Sequence, residues 1–266
     1  MQKIIAWIMV ILGAMHALFP VAPKGEKLSL DGYTLVFEDE FDADTLDTSV
    51  WYHRALGERR AGYNAESQVR LEDGKLILRA EYLEDGAYGA GWYAGMVALR
   101  QKYQNGYFEI CCRCCRDKDF WSAFWLQCGT SYDHAVSAGG VGGAEIDIFE
   151  AMEAKYFPGR LASAVKSTVY CNGTDVLEDR IDRCRVGKYY VDDLYGSFHT
   201  FGLKWTQSEY IFYIDGVESG RTSFGKGVSQ IPEEVIVSLE IPEKIKQQPG
   251  ASAEFAVDWV KIWEEQ

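Results

Sequence analysis

The chain has 266 residues, of which 47% are hydrophobic and 14% aromatic, enough to bury a substantial core. Lysine and arginine number 27 against 40 aspartate and glutamate residues, which gives a net charge of −13. This acidic balance argues against nucleic acid or an anionic membrane surface as the main partner. No linker, low-complexity tract or internal repeat divides the sequence, so we expect one compact domain and a monomer.

A targeting segment precedes this domain. Lys3 is followed by the apolar run 4–19, which is short for a bilayer span and ends in a proline-containing polar stretch. We expect residues 1–22 to be a secretory signal and 23–266 to form the folded domain, with a retained anchor as the alternative. The protein is then secreted, or held at the cell surface or in the periplasm, without a stable membrane partner. Signal cleavage after Ala17 or after Ala22 is compatible with this sequence, although Pro23 disfavours cleavage after Ala22.

Short stretches rich in aromatic and β-branched residues fill most of the chain, separated by turn signals such as EDGK, QNG and IDGV. No long segment has the 3.6-residue period of a helix. This pattern predicts an all-β fold, an antiparallel β-sandwich with jelly-roll connections and a concave cleft. The predicted strands cover 33–41, 75–83, 106–115, 120–128, 144–152, 163–171, 198–206, 209–217, 233–241 and 253–263.

Seven cysteines include the cluster CCRCC at 111–115. On a strand, Cys112 and Cys114 point to one face and Cys111 and Cys115 to the other, which does not build a tetrahedral metal cage. We therefore predict small buried apolar residues and no metal site. The odd number leaves at least one cysteine unpaired within the chain, and the spacing does not decide the pairing of the others.

The segment 145–150, EIDIFE, places three acids among Ile, Ile and Phe. On a regular strand Glu145 and Asp147 share a face, but Glu150 lies five positions from Glu145 and points the other way. A β-bulge at Ile148 or Phe149 returns Glu150 to the face of the other two acids. We therefore predict that all three carboxylates line one surface.

A solvated sheet face is the usual explanation of such a charge cluster. Here the acids stand between large apolar residues, and like charges on one face raise one another's pKa, which favours a chemical role. Retaining glycoside hydrolysis uses a carboxylate nucleophile and a carboxylic acid about 5 Å apart. A third acid between them can orient the nucleophile and help to hold the proton.

The chain resembles glycoside hydrolase family 16, the laminarinase, β-glucanase and galactanase group. The segment EIDIFE fits the bulged ExDxxE signature of this family. The resemblance covers about Leu35 to Trp263 and implies a concanavalin A-like jelly roll. It also implies Glu145 as nucleophile, Asp147 as its helper and Glu150 as acid/base. The other segments that carry the resemblance, in the family's order, are 41–51, 71–80, 105–114, 120–127, 198–216 and 253–263.

Aromatic residues near the acids are candidates for sugar binding. Trp121 and Trp125 lie four apart on one predicted strand and face the same side, where their rings can stack on pyranose rings; burial in the core is the alternative. The resemblance adds further substrate-binding candidates. One of them is a histidine, for which a structural role is the commoner explanation. These further candidates are Asn64, Glu66, Trp92 and His199.

We expect a retaining endo-β-glycosidase that cleaves a β-1,3- or mixed-linked β-glucan, a polysaccharide. β-Galactans such as agar or carrageenan stay open, because 139–144 reads GGVGGA where many laminarinase-like members have Trp, and Tyr170 replaces a frequent His. The negative net charge makes a heavily sulfated substrate less expected, although only the local field of the cleft matters. A non-catalytic lectin-like module is the second class, against which the paired Glu145 and Glu150 argue. No cofactor is required, and a structural calcium is not readable from the sequence.

Overall fold

The computed structural model describes residues 20–117, 119–128, 142–152, 154, 159–171, 183–223 and 227–266, without the side chains of Arg160 and Cys171. Most of the predicted signal segment, and residues 139–141 of GGVGGA, lie outside the described residues. Within the described ranges, no helix is long and apolar enough to cross a membrane.

The described residues are almost entirely strands. Two short 3-10 turns, Glu66–Gln68 and Gly159–Ala162, are the helical elements in these ranges. The strands are β1 (Tyr33–Asp39), β2 (Trp51–His53), β3 (Gly57–Arg59), β4 (Gly62–Asn64), β5 (Val69–Leu71), β6 (Leu76–Leu83), β7 (Gly91–Ala94), β8 (Met96–Leu99), β9 (Gly106–Arg113), β10 (Trp121–Gln127), β11 (Ala144–Glu150), β12 (Ala164–Cys171), β13 (Arg183–Tyr190), β14 (His199–Trp205), β15 (Tyr210–Ile214), β16 (Val217–Thr222), β17 (Glu234–Glu240) and β18 (Ser252–Glu265).

These strands form two sheets, which confirms the predicted sandwich. The seven-stranded sheet has the order β13-β12-β11-β10-β17-β8-β2, so that β11, with the three acids, lies near its middle. The eleven-stranded sheet has the order β16-β15-β14-β9-β18-β6-β7-β4-β3, with β1 added to β18 and β5 to β6. Neighbours far apart in sequence, such as β10 and β17, pair antiparallel, as jelly-roll connections require.

The core lies between the two sheets and is filled by apolar side chains at alternate strand positions. On β11 the bulge residues Ile148 and Phe149 belong to this core, as does Ile146, while the acids lie on the other side of the strand. Phe149 packs on Phe201 of the second sheet with ring centroids 4.1 Å apart. Burial of these apolar residues therefore fixes the direction in which the acids point.

Turn chemistry was readable from the sequence. In EDGK, Asp73 and Gly74 both have positive φ, 52° and 66°, and make a tight hairpin between β5 and β6. The same pattern recurs at Asp215 and Gly216 between β15 and β16, with φ of 49° and 70°. Two successive left-handed residues are the signature of the type I′ turn, in which Asp-Gly is favoured.

The cysteine cluster differs from its prediction in one respect. Strand β9 ends at Arg113, so the strict alternation does not reach Cys115. Cys112, Cys114 and Cys115 all join the core, and Cys111 is half-buried on the opposite face. Burial raises the pKa of Cys115 to about 12, which keeps this thiol neutral and unreactive. Among the described residues, no group of three His, Cys, Asp or Glu is arranged to hold a metal ion.

Val21, which precedes the predicted boundary at residue 23, also contacts the fold. Val21 donates its N–H to the carbonyl of Lys188 and accepts the N–H of Tyr190, so it extends the edge of the seven-stranded sheet. A few residues later, Gly25 and Leu28 bond to the β15–β16 hairpin of the other sheet. The segment 20–28 thus ties the two sheets together along one side, and Val21 belongs to the fold.

Candidate active site

Strand β11 carries the predicted bulge. Opposite β10, Asp147 pairs with Trp125 and Phe149 with Phe124, so Ile148 is the extra residue. Glu145 pairs with Gln127, and Glu150 pairs with Ala123. Together with Trp125, these partners occupy every second position of the regular strand β10. The three acids therefore lie on one face, as the sequence predicts. We call this side of the seven-stranded sheet the acid face.

A serine of the neighbouring strand stabilises the bulge. Between Asp147 and Glu150, β11 has two residues where β12 has only Ser167. Ser167 therefore faces the bulge. The Ser167 hydroxyl is buried and donates to the Ile148 carbonyl at 2.8 Å. The bulge carbonyl, which the irregular ladder leaves without a regular partner, thereby keeps a hydrogen bond.

Glu145 ends a chain of polar contacts that crosses three strands. Gln127 Nε2 donates to Glu145 Oε2 at 3.0 Å, and Arg54 donates to Gln127 Oε1. Arg54 is itself held by Glu234, with its Nε 3.2 Å from Oε2. Because a guanidinium donates only, the amide oxygen of Gln127 must face Arg54 and its NH₂ group must face Glu145.

Burial raises the pKa of Glu145 to about 8, and repulsion from Glu150 and Glu240 acts in the same direction. Arg54 opposes the shift by favouring the charged form. A buried carboxyl with a specific set of charged neighbours is typical of functional sites. The acid face therefore holds a proton at neutral pH in the absence of substrate.

Asp147 lies between the other two acids, opposite Trp125 on one side and Thr168 on the other. Burial raises its pKa well above the ordinary value, and the charges of Glu150 and Glu145 add to this effect. A neutral Asp147 is a hydrogen-bond donor, which a charged carboxylate cannot be. The middle acid is thus suited to orient a neighbouring carboxylate and to store a proton.

Glu150 has two partners on the acid face. The Lys166 Nζ lies 2.7 Å from Glu150 Oε2, and Trp121 Nε1 donates to Oε1 at 3.2 Å. Burial lowers the pKa of Lys166, but the charges of Glu150 and Asp147 outweigh it, so the net shift is upward and the ammonium stays charged. Lys166 and Trp121 hold the carboxyl of Glu150 in one orientation.

Across the sheet, the acid face is continuous with other polar and aromatic side chains. Tyr170 pairs with Glu145 on the β12 side and is half-buried. On the opposite side, Ser238 and Glu240 of β17 pair with Ala123 and Trp121 of β10. The arrangement is a sheet surface on which Glu145, Asp147 and Glu150 occupy successive same-face positions, and the hydrolysis of an acetal uses a pair of carboxyl groups.

A family model, "Glycosyl hydrolases family 16", matches residues 57–261. The chain belongs to this family. By the description of its model, this is a family of glycosyl hydrolases. The match runs from β3 into β18, includes β11 with its three acids, and agrees with the resemblance seen in the sequence.

Individual relatives of this family-16 chain are distant. It is 25% identical over 212 residues to "Glucan endo-1,3-beta-glucosidase A1" of Niallia circulans, covering 71% of this chain and 29% of the relative. It is 27% identical over 222 residues to "Endo-1,3-1,4-beta-glycanase ExsH" of Rhizobium meliloti (strain 1021), covering 80% of this chain and 42% of the relative. The chain thus spans less than half the length of either of these curated relatives.

Solved structures show the same fold. The non-specific endo-β-1,3(4)-glucanase SCLam of family 16 superposes with a TM-score of 0.73 at 21% identity, covering 93% of this chain and 97% of that one. The laminarinase catalytic domain from Thermotoga maritima MSB8 gives a TM-score of 0.68 at 18% identity, with 88% and 99% covered. At these identities the similarity shows a family-16 jelly roll.

The two tryptophans of β10 lie on the acid face, as predicted. Each is covered by a guanidinium: Arg54 lies 5.0 Å from the ring centroid of Trp125, and Arg60 lies 5.0 Å from that of Trp121. Both rings are buried, with 7% of Trp121 and 6% of Trp125 exposed. A sugar that stacks on either ring must share it with an arginine or displace that arginine, and sugar stacking stays a prediction.

The two loop candidates, Asn64 and Glu66, differ in burial. Asn64 is buried at the end of β4, with Nδ2 3.9 Å from the Met96 sulfur on the acid face. Its Oδ1 has no hydrogen-bond partner in the described part of the chain. Glu66 begins the following 3-10 turn and is exposed. Asn64 is thus close to the site, while substrate binding by either residue stays a prediction.

Trp92 and His199 do not lie on the acid face, and substrate binding by either residue stays a prediction. Trp92 belongs to the core cluster between the sheets and packs on Phe120, with centroids 5.3 Å apart. His199 lies on β14 of the eleven-stranded sheet, opposite the core residue Cys112. Its Nδ1 is 2.9 Å from Asp215 Oδ2, so this histidine has a structural carboxylate partner.

Three residues that the sequence reasoning missed contact the acids or their partners: Arg54, Gln127 and Lys166. Gln127 lies two positions after Trp125, and Lys166 interrupts an otherwise apolar and hydroxylic strand, so the period of two could have found both. Arg54 gave no such signal, because β2 is only three residues long and was not predicted.

Proposed function

We propose that the protein is a retaining endo-β-glycosidase that hydrolyses a β-1,3- or mixed-linked β-glucan through a covalent glycosyl-enzyme. Glu145 attacks the anomeric carbon, and Glu150 protonates the departing oxygen and then deprotonates water. Asp147 orients Glu145 and holds a proton between the two steps. The observation that carries this proposal is the bulge at Ile148, which supports a common face for the three acids.

The polar contacts support distinct roles for the two glutamates. Gln127 donates to Glu145, and this bond favours the carboxylate that attacks the sugar. Glu150 is held by Lys166 in the absence of substrate, and the first step requires a neutral Glu150. Substrate binding must therefore loosen this ion pair and move a proton from Glu145 or Asp147 towards Glu150. The names of the curated relatives, endo-1,3- and endo-1,3-1,4-acting enzymes, support a β-glucan.

Direct assay on polysaccharides tests this proposal. Laminarin, lichenan, agarose and carrageenan are incubated with the protein, and the products are separated by chromatography. We expect oligosaccharides of mixed length from laminarin or lichenan, and cleavage of agarose or carrageenan instead would move the substrate to β-galactans. Binding of any of these polymers without products would indicate a lectin-like module.

Variants test the roles. Glu145→Gln and Glu150→Gln should each lower kcat at least about a thousandfold without loss of folding. Azide should restore turnover of an activated aryl glycoside by Glu150→Gln and release a glycosyl azide of retained configuration. Glu84→Gln, an exposed acid in the β6–β7 turn of the other sheet, is the control. Near-normal cleavage by Glu145→Gln would refute the assigned nucleophile.

A further inference from the structure

The acid face has an edge rich in arginine that the proposed hydrolysis does not use. Edge strand β13 pairs with β12 so that Arg183 lies opposite Tyr170 and Arg185 opposite Thr168. Tyr170 and Thr168 in turn pair with Glu145 and Asp147. Because residues paired across a ladder share a face, both arginines belong to the acid face. Each lies two strand spacings, about 10 Å, from its acid.

These two arginines are exposed, and no ion pair is formed by either within the described ranges. The tryptophan side of the acid face differs. There, Arg54 is paired with Glu234, and Arg59 is paired with Glu240 at 2.7 Å. One side of the acid face is therefore neutralised by its own acids, and the β13 side presents positive charge, in a chain of net charge −13.

Two ordinary explanations of the arginines are weaker. Charged side chains on an edge strand discourage pairing with another molecule, but Val21 already covers one end of this edge, through its bonds to Lys188 and Tyr190. Arginines could also serve to offset the three acids. The cations with the largest effect on Glu145 and Asp147 are, however, Arg54, Arg59 and Lys166.

We propose that Arg183 and Arg185 form a subsite for an anionic substituent, a carboxylate or a sulfate, on the glycan that the acids cleave. The planar guanidinium fork matches an oxyanion with two parallel hydrogen bonds, and a neutral glucan offers no such group. The inference rests on the proposed glycosidase function and deepens it by naming the substrate class. It also revises the sequence-based expectation against charged polymers, because the local field on this side is positive.

The segment between β12 and β13 is rich in acidic residues. It contains Asp175, Glu178, Asp179 and Asp182 and lies outside the described residues. A subsite neutralised by these acids would show no preference for an anion. The experiment therefore compares one polymer with and without carboxylates.

The substrates are a mixed-linked β-glucan and the same polymer with part of its C6 hydroxyls oxidised to carboxylates. For Arg183→Gln/Arg185→Gln, we expect the ratio of kcat/KM on the oxidised over the neutral polymer to fall at least about fivefold at low salt. About 0.5 M salt should erase most of this difference. Arg183→Lys/Arg185→Lys should keep part of the preference, and Arg70→Gln, on the other sheet, should keep all of it.

A binding assay separates failure of this inference from failure of the proposed function. Glu145→Gln, with and without the two arginine changes, is run in native gels that contain either polymer. The subsite is supported if the oxidised polymer, but not the neutral one, retards the form with both arginines more than the form without them. This result would hold even if wild type cleaves neither substrate. Equal retardation of both forms, or an unchanged kcat/KM ratio in the double variant, would overturn it.

Discussion

Gln127 donates to Glu145 across the β10–β11 pair at 3.0 Å, and the orientation of this amide is fixed from its other end by Arg54. The relationship matters because Glu145 is buried and its pKa lies at about 8 mainly for that reason. A fixed donor to the carboxylate lowers the free energy of the charged form. Arg54 and Gln127 together thus oppose the burial that would keep the proposed nucleophile neutral.

Replacement of Gln127 by Leu should therefore raise the pKa of Glu145 further. We expect the acidic limb of the pH dependence of kcat/KM to move up by about one unit, with about a tenfold loss at pH 6. The measurement is a pH–rate profile on an activated aryl glycoside. Gln101→Leu, an exposed glutamine, serves as the control. A profile that falls uniformly without moving along the pH axis would contradict the charge argument.

Lys166 gives a prediction for the other limb of the pH profile. Its ammonium lies 2.7 Å from Glu150, and this ion pair competes with the neutral form that protonates the leaving oxygen. Lys166 also lowers the pKa of Asp147, so Lys166→Met should move the basic limb of the kcat/KM profile to higher pH, by about one unit. Lys75→Met removes an ion pair with Asp258 on the other sheet and should leave the limb in place. A basic limb that stays fixed in Lys166→Met would mean that the acids beside Lys166 do not set it.

The acids could be placed from the sequence because two rules act on the same six residues. The apolar Ile146 and Phe149 must face the core, and the spacing of the acids then requires one extra residue in the ladder. All ten strands predicted from apolar and β-branched runs are present, since each is long enough to show its period. The short strands β2, β3, β4 and β5, of three residues each, were missed for the opposite reason.

Contacts between distant strands set the limit of the sequence argument. Arg54 reaches Gln127, 73 positions away, only because β2 and β10 belong to one sheet. Nothing in the local pattern of either segment indicates that pairing. The position of His199 was not predictable for the same reason: its motif is local, but the sheet on which β14 lies is a property of the whole fold.

The bulge itself can be weakened without touching an acid. Ser167→Ala removes the buried hydroxyl that donates to the Ile148 carbonyl at the bulge. We expect a loss of about 1–3 kcal/mol in the free energy of unfolding and a lower kcat, because Glu150 follows the bulge by two positions. Urea unfolding and initial rates measure the two effects, with Ser29→Ala, an exposed serine, as control. Unchanged stability and rate would show that the irregular ladder holds its shape without this bond.

Glu233, which precedes β17, makes the pH dependence of stability testable. It is fully buried, and Ala144, the first residue of β11, donates its N–H to Oε1 at 2.8 Å. Burial, with a contribution from Glu145, raises its pKa from 4.5 to about 8. A carboxyl whose pKa is raised on folding contributes stability that is fully present below pH 4.5 and is lost as the pH rises through about 8.

Glu233→Gln keeps the acceptor for Ala144 but cannot ionise. Relative to wild type, it should therefore be more stable at pH 9, by a few kcal/mol in order of magnitude, and nearly equal at pH 5. Glu233→Ala removes the acceptor and should be less stable than Glu233→Gln at both pH values. Urea titrations at pH 5, 7 and 9 provide the comparison. If Glu233→Gln differed from wild type by the same amount at all three, the carboxyl would not be neutral in the folded protein.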